Sequence, residues 1–364
     1  MEWSRDRKTG KSLPEPRRDA VPKVSVIIPL HNESLRMTEL LKGLESQDYP
    51  AAEIIFVDDR SSDAGPQKLE HFVRNMRNRR KCRIITITEN PGPNYKQYAL
   101  SRGIDAAEGD FLLFTDADCE VPARWISVMA SCLEDERVGA VIGPVFKKSE
   151  GPGFFWFHQC VDHAVRYLYL AGTSGLGAAG GGFGNNLILR RKSLDAIGGY
   201  NSVPFSPTED AALVARIRSH SPYQVHAALD AGVWVFTRPE QSWGALLNQT
   251  LRWNNGGLFS PDMMTRLGFN YLMISILVGI MSIPLLPFFP GLWPLSFGVI
   301  LSMIINTAAI LFFFRAALPR GGFLTAIRYI FQLVFTPLWM SFLTALGFFR
   351  VTISWKGNKI IRRT

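Results

Sequence analysis

Asp116 and Asp118 stand two apart in Phe114-Thr-Asp-Ala-Asp118, where an apolar run stops and both carboxylates can turn toward one hard divalent cation, Mg²⁺ or Mn²⁺. Further polar groupings hold comparable places. Glu33 closes Val24-Ser-Val-Ile-Ile-Pro-Leu-His-Asn-Glu33, and Asp58 and Asp59 end the apolar part of Phe56-Val-Asp-Asp-Arg-Ser-Ser-Asp63. Thr208-Glu-Asp210 opens a helix-period pattern, so Asp210, with Glu209 as its rival, can act as a general base or merely complement a helix dipole. In Gln249-Thr-Leu-Arg-Trp253, helical spacing puts Gln249 on one face with Arg252 and Trp253. Arg252 can grip a phosphate bidentately. Trp253 offers an aromatic face, or serves with Arg252 as an interfacial anchor.

Regular alternation positions these groups. Short apolar runs at Val24–Pro29, Ile54–Asp58, Arg83–Thr88, Phe111–Asp116 and Val138–Val145 are separated by helix-period stretches near 35–46, 66–79, 94–107 and 122–135. That is the pattern of βα units building a mostly parallel sheet. Residues just past the carboxyl ends of such strands share one edge, where ligands bind. Beyond 145 come an aromatic segment, Phe154–Tyr169, and a glycine-rich stretch from Gly172 to Gly184. The glycines lead into no dinucleotide loop and predict a mobile loop near the site, or simple turns.

In this order, the five motifs resemble the family 2 inverting glycosyltransferases of the GT-A fold. Gln249-Thr-Leu-Arg-Trp253 matches the Q-x-x-R-W of the cellulose, chitin and hyaluronan synthase group and of the ceramide glucosyltransferases. The resemblance covers about Val24 to Trp253 and extends to the apolar C-terminal part. It implies an α/β fold, a GT-A (nucleotide-diphospho-sugar transferase) Rossmann-like domain followed by a C-terminal α-helical membrane domain. The reaction implied is inverting transfer from a UDP-sugar, with a GDP-sugar as second choice, to a lipid-like or membrane-associated acceptor. Glu33, Asp58, Asp59, Asp116 and Arg252 would contact the donor, Asp116 and Asp118 the metal, Gln249 and Trp253 the acceptor, and Asp210 would be the base. Lys96, in Asn94-Tyr-Lys-Gln-Tyr-Ala, resembles the lysine of the family's G-K-x-x-A-x-N segment, with Tyr95 in place of the glycine, and could face a phosphate or be a surface lysine. Arg190, in Gly184-Asn-Asn-Leu-Ile-Leu-Arg-Arg191, resembles a donor-side position that touches sugar or phosphate.

Composition divides the 364 residues into a flexible basic tail at 1–22, a catalytic domain at 23–260 and a membrane domain at 261–364 with two or three transmembrane helices. From Phe269 to Phe349 the only charges are Arg315, Arg320 and Arg328. Apolar stretches at about 271–290, 292–314 and 323–349 each reach the roughly 20 residues that cross a bilayer. The third carries Arg328, Gln332 and Pro337 and is either a crossing or a re-entrant or interfacial segment. The net charge of +9 lies in separate clusters at the tail, at 74–83 and at the C-terminus, and no aromatic residues interleave with the middle one. That excludes nucleic acid and favours lipid headgroups or, at 74–83, a solvated helix face. Cys82, Cys119, Cys132 and Cys160 match neither zinc nor disulfide spacing, and no signal peptide is read at the N-terminus. The expected location is the cytoplasmic membrane, multi-pass, with the catalytic domain in the cytoplasm. Two alternatives stand beside single transfer: a processive polysaccharide synthase subunit, and a non-catalytic nucleotide-sugar-binding membrane scaffold.

Overall fold

The computed structural model describes residues 21–76, 81–89, 95–204, 206, 208–349, 353–355 and 358–360. The tail expected at 1–22, apart from Val21 and Pro22, lies outside the described residues, as do Arg77, Arg79, Arg80, Lys356, Arg362 and Arg363. In chain order the strands are β1 (Val24–Leu30), β2 (Ala52–Asp59), β3 (Lys81–Ile87), β4 (Phe111–Phe114), β5 (Cys119–Glu120), β6 (Val138–Ile142), β7 (Val145–Lys147), β8 (Leu187–Arg190), β9 (Gln224–Ala227) and β10 (Val235–Thr237). The helices are α1 (Thr38–Glu45), α2 (Gly65–Asn75), α3 (Tyr95–Ala106), α4 (Trp125–Ser131), α5 (Phe154–Gly175), α6 (Arg191–Ala196), α7 (Glu209–His220) and α8 (Trp243–Leu258). Then come three long apolar helices, α9 (Met263–Leu285), α10 (Trp293–Phe314) and α11 (Phe323–Phe348), and a hairpin, β11 (Ile353–Trp355) and β12 (Asn358–Ile360).

A seven-stranded sheet of order β3-β2-β1-β4-β8-β6-β9 forms the centre. Successive residues of β1 and β2 point to opposite faces, and both faces are covered. Ile27, Ile55 and Val57 pack with α3, α5 and α7, whereas Val26, Ile28, Ile54 and Phe56 pack with α1 and α4. Pairing is parallel among β3, β2, β1 and β4, but β8 runs antiparallel to both β4 and β6. The run expected at Val138–Val145 is two strands. Gly143-Pro144 breaks it, since Pro144 has no N–H to pair, and β7 joins a second sheet of order β5-β10-β7. The Asn186 amide holds the break by donating to the carbonyls of Pro144 and Val233, at 2.8 and 2.7 Å.

The glycine-rich stretch is not a loop free of its surroundings. Its first part is the end of α5, and from Gly180 the backbone is wedged between α7, β6 and the start of α9. A Cβ on Gly180 would fall 2.3 Å from Thr265 Oγ1, and one on Gly182 would fall 2.6 Å from Ile142 Cγ2. Glycine is required there for close approach.

The end of the second long apolar helix is built into the α/β core. Phe314, at the end of α10, is fully buried, its ring centroid 5.3 Å from that of Phe146 and 5.7 Å from that of Tyr167. α9 leaves the core and α10 returns to it, and Phe288, Phe289 and Trp293 are exposed at their connection. By length and composition α9, α10 and α11 can each cross a bilayer. α11 nevertheless packs against the α/β part at several points. Tyr329 meets Phe157 near its start, Gln332 meets His158, and Thr344 accepts from Asn254 near its end. The β11–β12 hairpin then lies beside α8. Two crossings, through α9 and α10, would return the chain to the side of the α/β part, beside which α11 packs. A tag after Thr364 is expected to be reached from the same side of the membrane as one in the α/β part. Labelling of the two tags from opposite sides would show that α11 crosses.

Candidate active site

Three loops at the carboxyl edge of β1, β2 and β4 meet above the sheet. Asn32 and Arg60, at φ 55° and 56°, turn the chain sharply just past β1 and β2. Asn tolerates that left-handed conformation better than most residues, and here its Oδ1 accepts the Ser62 N–H at 2.8 Å while the Asn32 N–H donates to Ser61 Oγ at 3.0 Å. The β1 and β2 loops are thus fixed to each other. Beside them α3 brings in Lys96, α7 brings Glu209 and Asp210, and α8 brings Gln249, Arg252 and Trp253.

Together they enclose a polar cleft of about 780 Å³. Glu33, Asp59, Lys96, Asp116, Asp118, Asp210, Gln249, Arg252 and Trp253 all line it. Glu33 is buried and lies 3.9 Å from Arg36, and Asp59 is held by Arg60 at 2.7 Å. Two of the residues expected here stand elsewhere. Asp58 sits behind the wall, its Oδ1 accepting the Ser61 N–H at 3.2 Å, so it shapes the loop. Arg190 lies at the opposite edge of the sheet, because antiparallel β8 pairs it with Phe111 at the start of β4. Its guanidinium donates to the Val138 and Asp135 carbonyls and covers the Phe111 ring, so it does not line the cleft.

Lys96 is no surface lysine. Its ammonium stands 3.2 Å from both Asp116 and Glu209. Burial opposes its charge, yet Asp116, Glu209 and Asp210 together hold its pKa above the ordinary lysine value. Asp210 has the opposite problem. Its burial, with Glu209 adjacent, pushes the carboxyl up to about 6 against the attraction of Lys96 and the N–H groups of Gly184 and Ala211. The Gly184 N–H donates to Asp210 Oδ2 at 2.7 Å and the Ala211 N–H to Oδ1 at 2.8 Å, so the carboxylate is aimed as well as tuned. A carboxylate of that strength near neutral pH suits proton abstraction.

Asp116 and Asp118 face the cleft with hard oxygen donors, and Thr237 Oγ1 donates to Asp118 Oδ2 at 3.1 Å. Among the described residues no cluster of three or more ligating side chains occurs. Two carboxylates fit a cation whose remaining ligands are phosphate and water oxygens, the habit of Mg²⁺ at nucleotide phosphates.

Several lining groups carried no sequence signal. Glu240 accepts from Gln249 Nε2 at 2.6 Å, His163 contacts the Val145 carbonyl at 3.1 Å, and Lys147 comes from β7. His163 is held neutral, pushed down to about 3 by burial and by Lys147. It meets the Trp253 ring edge-on at 5.2 Å, and the Arg166 guanidinium lies 5.0 Å from the centroid of the same ring.

A second cavity, about 360 Å³ and mainly apolar, lies between α5, α8 and the three long helices. Leu272, Met273, Ile276, Val299, Leu333 and Met340 line it. It meets the polar cleft at Phe183, Thr208, Asp210 and Trp253, which line both.

The profile of the family described as Glycosyl transferase family 21 matches residues 3–363, nearly the whole chain. The chain belongs to that family. Among curated proteins it is 26% identical over 255 residues, 66% of this chain and 56% of the relative, to the probable glycosyltransferase YdaM of Bacillus subtilis (strain 168). It is 24% identical over 200 residues to beta-monoglucosyldiacylglycerol synthase of Trichormus variabilis, covering 54% of this chain and 42% of the relative. The chain thus spans only about half the length of these two relatives. Among solved structures, the mannosyltransferase PcManGT from Pyrobaculum calidifontis, in complex with GDP-Man and Mn²⁺, superposes with a TM-score of 0.54 over 90% of this chain and 86% of that one, at 20% identity. The likeness shows the fold, a Rossmann-like GT-A sheet; this family 21 member also carries three long apolar helices after it.

Proposed function

We propose that this family 21 glycosyltransferase moves a sugar from a nucleotide-diphosphate donor, a UDP-sugar before a GDP-sugar, to a lipid acceptor held at the membrane. One observation carries the reading: the apolar cavity among the long helices adjoins the polar cleft, and Asp210 lines both. An acceptor with an apolar body and one hydroxyl would fill both, its chain among Met273, Ile276 and Val299 and its hydroxyl at the carboxylate.

The work of the residues follows from their places. Asp59 offers acceptors to the donor's ribose or base, and Arg252 faces the diphosphate. Asp116 and Asp118 would hold Mg²⁺ or Mn²⁺, which supplies charge stabilisation for the leaving diphosphate. Lys96 adds a positive charge between Asp116 and Glu209. Asp210 takes the acceptor's proton as its oxygen attacks the anomeric carbon, so the product is inverted and no covalent enzyme intermediate forms. Phe183 and Trp253 wall the junction and keep water from competing with the acceptor.

A processive synthase would extrude a polar polymer, and a cavity lined by Met, Ile, Leu and Val favours a lipid instead. Intact Asp116, Asp118 and Asp210 in one cleft argue against a non-catalytic scaffold. Incubation of the purified protein with a panel of nucleotide sugars and a total lipid extract, read by mass spectrometry, is expected to yield a lipid carrying one added sugar. A long polymer, or no nucleoside diphosphate released with any extract, would overturn the proposal. Ile276→Trp fills the cavity and is expected to reduce transfer to lipid at least tenfold while donor affinity stays within about twofold, because overpacking acts only where the acceptor chain sits.

A further inference from the structure

Lys147 is an anomaly in the cleft. It is only 5% exposed, yet it lines the cleft and enters no ion pair among the described residues. Its ammonium donates to one acceptor among them, the Arg238 carbonyl at 2.8 Å, although an ammonium carries three donors. A buried charge left in that condition costs free energy that a ligand can recover. Burial pulls its pKa down, and the carboxylates that oppose this, Glu240 and Asp118, attract it without pairing. Had neutralising Glu240 been its task, the two would be joined; Glu240 instead accepts from Gln249.

The parallel register of β7 and β10 sets Lys147 beside Thr237, so both side chains leave the same face of the small sheet. Thr237 holds Asp118, the second carboxylate of the metal motif. Lys147 therefore stands next to the place where donor phosphates must lie. We propose that Lys147 binds the diphosphate of the nucleotide donor, its ammonium donating to a phosphate oxygen before and after the sugar leaves. The assignment rests on the glycosyltransferase reading and adds to it a phosphate contact from the second sheet, opposite in chain and element to Lys96 and Arg252.

Lys147→Met keeps the stem and removes the charge, so the unliganded variant is expected to melt at or above the temperature of the parent. Binding of UDP, GDP and the free nucleosides uridine and guanosine, each with Mg²⁺, would be measured by calorimetry on the full-length protein. For the base that the parent prefers, Lys147→Met is expected to weaken the nucleoside diphosphate about 10- to 100-fold, the worth of a charge-assisted contact. Affinity for the matching nucleoside should not change. Unchanged diphosphate affinity, or equal weakening of both ligands, would overturn the role of Lys147 alone. A parent protein that binds neither diphosphate would overturn the transferase reading, and Lys147 with it.

Discussion

Asp210→Asn is expected to cut kcat by about 10²–10⁴, the usual cost of losing a general base, while affinity for the donor and the metal stays near that of the parent. The expectation rests on position: Asp210 lies at the junction of the two cavities, aimed by the N–H groups of Gly184 and Ala211. A carboxylate that only complemented the α7 dipole would contribute at most about 1 kcal/mol of stability and leave turnover almost intact. Stability is set by opposing effects. The carboxyl is raised to about 6 in the folded protein from an ordinary value of 3.8. The folded state thus binds the proton more tightly than the unfolded one, and the stabilisation this gives at low pH is lost as pH rises through about 6. At pH 8 the amide removes the buried charge but can accept only one of the Gly184 and Ala211 N–H groups, so the two effects oppose each other and the melting temperature should change little. For the parent, kcat/KM should fall as pH drops through about 6, and that limb should vanish in the residual activity of the variant. Near-normal turnover would take Asp210 out of the mechanism and direct attention to Glu209, which holds Lys96 at 3.2 Å.

Asp118→Asn, and separately an excess of EDTA, should abolish turnover with the fold retained. The substitution removes one negative charge and one of the two carboxylates available to the cation. Thr237 can still donate to the amide oxygen, so β10 should keep its place beside β5 and β7. Circular dichroism and melting would verify the fold, and product formation would be followed with Mg²⁺ or Mn²⁺ restored. EDTA inhibition should reverse on adding metal, whereas the variant should stay inactive. Full turnover in EDTA would show that Lys96, Arg252 and Lys147 carry the diphosphate's charge without a cation.

Much of the catalytic part was legible because local chemistry fixes it. Runs of Val, Ile and Phe buried on both faces can hardly be other than central strands, and they stop where Asp59, Asp116 and Asp118 begin. Helical spacing alone set Gln249, Arg252 and Trp253 on adjoining faces of α8. Two of the expected residues do not line the cleft, and the reasons differ: strand direction for Arg190, the pleat for Asp58. The resemblance set Arg190 on the donor side, but nothing in the sequence tells that β8 runs against β4. That reversal carries Arg190 to the far edge of the sheet and leaves Gly184 and Asn185, at the other end, in the cleft. Asp58 and Asp59 differ by one step of the pleat, and only the packed loop decides which carboxylate turns outward.

The sequence by itself determined the alternating α/β order, the cluster of acids at strand ends, the helix bearing Gln249, Arg252 and Trp253, and three segments apolar enough for a membrane. These depend on periodicity and residue type within short windows. Tertiary structure alone decided that β7 leaves the main sheet and brings Lys147 to Thr237, that Gly180 and Gly182 admit α9 and β6 at contact distance, and that α11 stays beside α5 and α8. It also decided that an apolar cavity and the polar cleft share Asp210 as lining. Each of these joins residues roughly 40 to more than 170 positions apart, and such pairings arise from packing that no local pattern encodes.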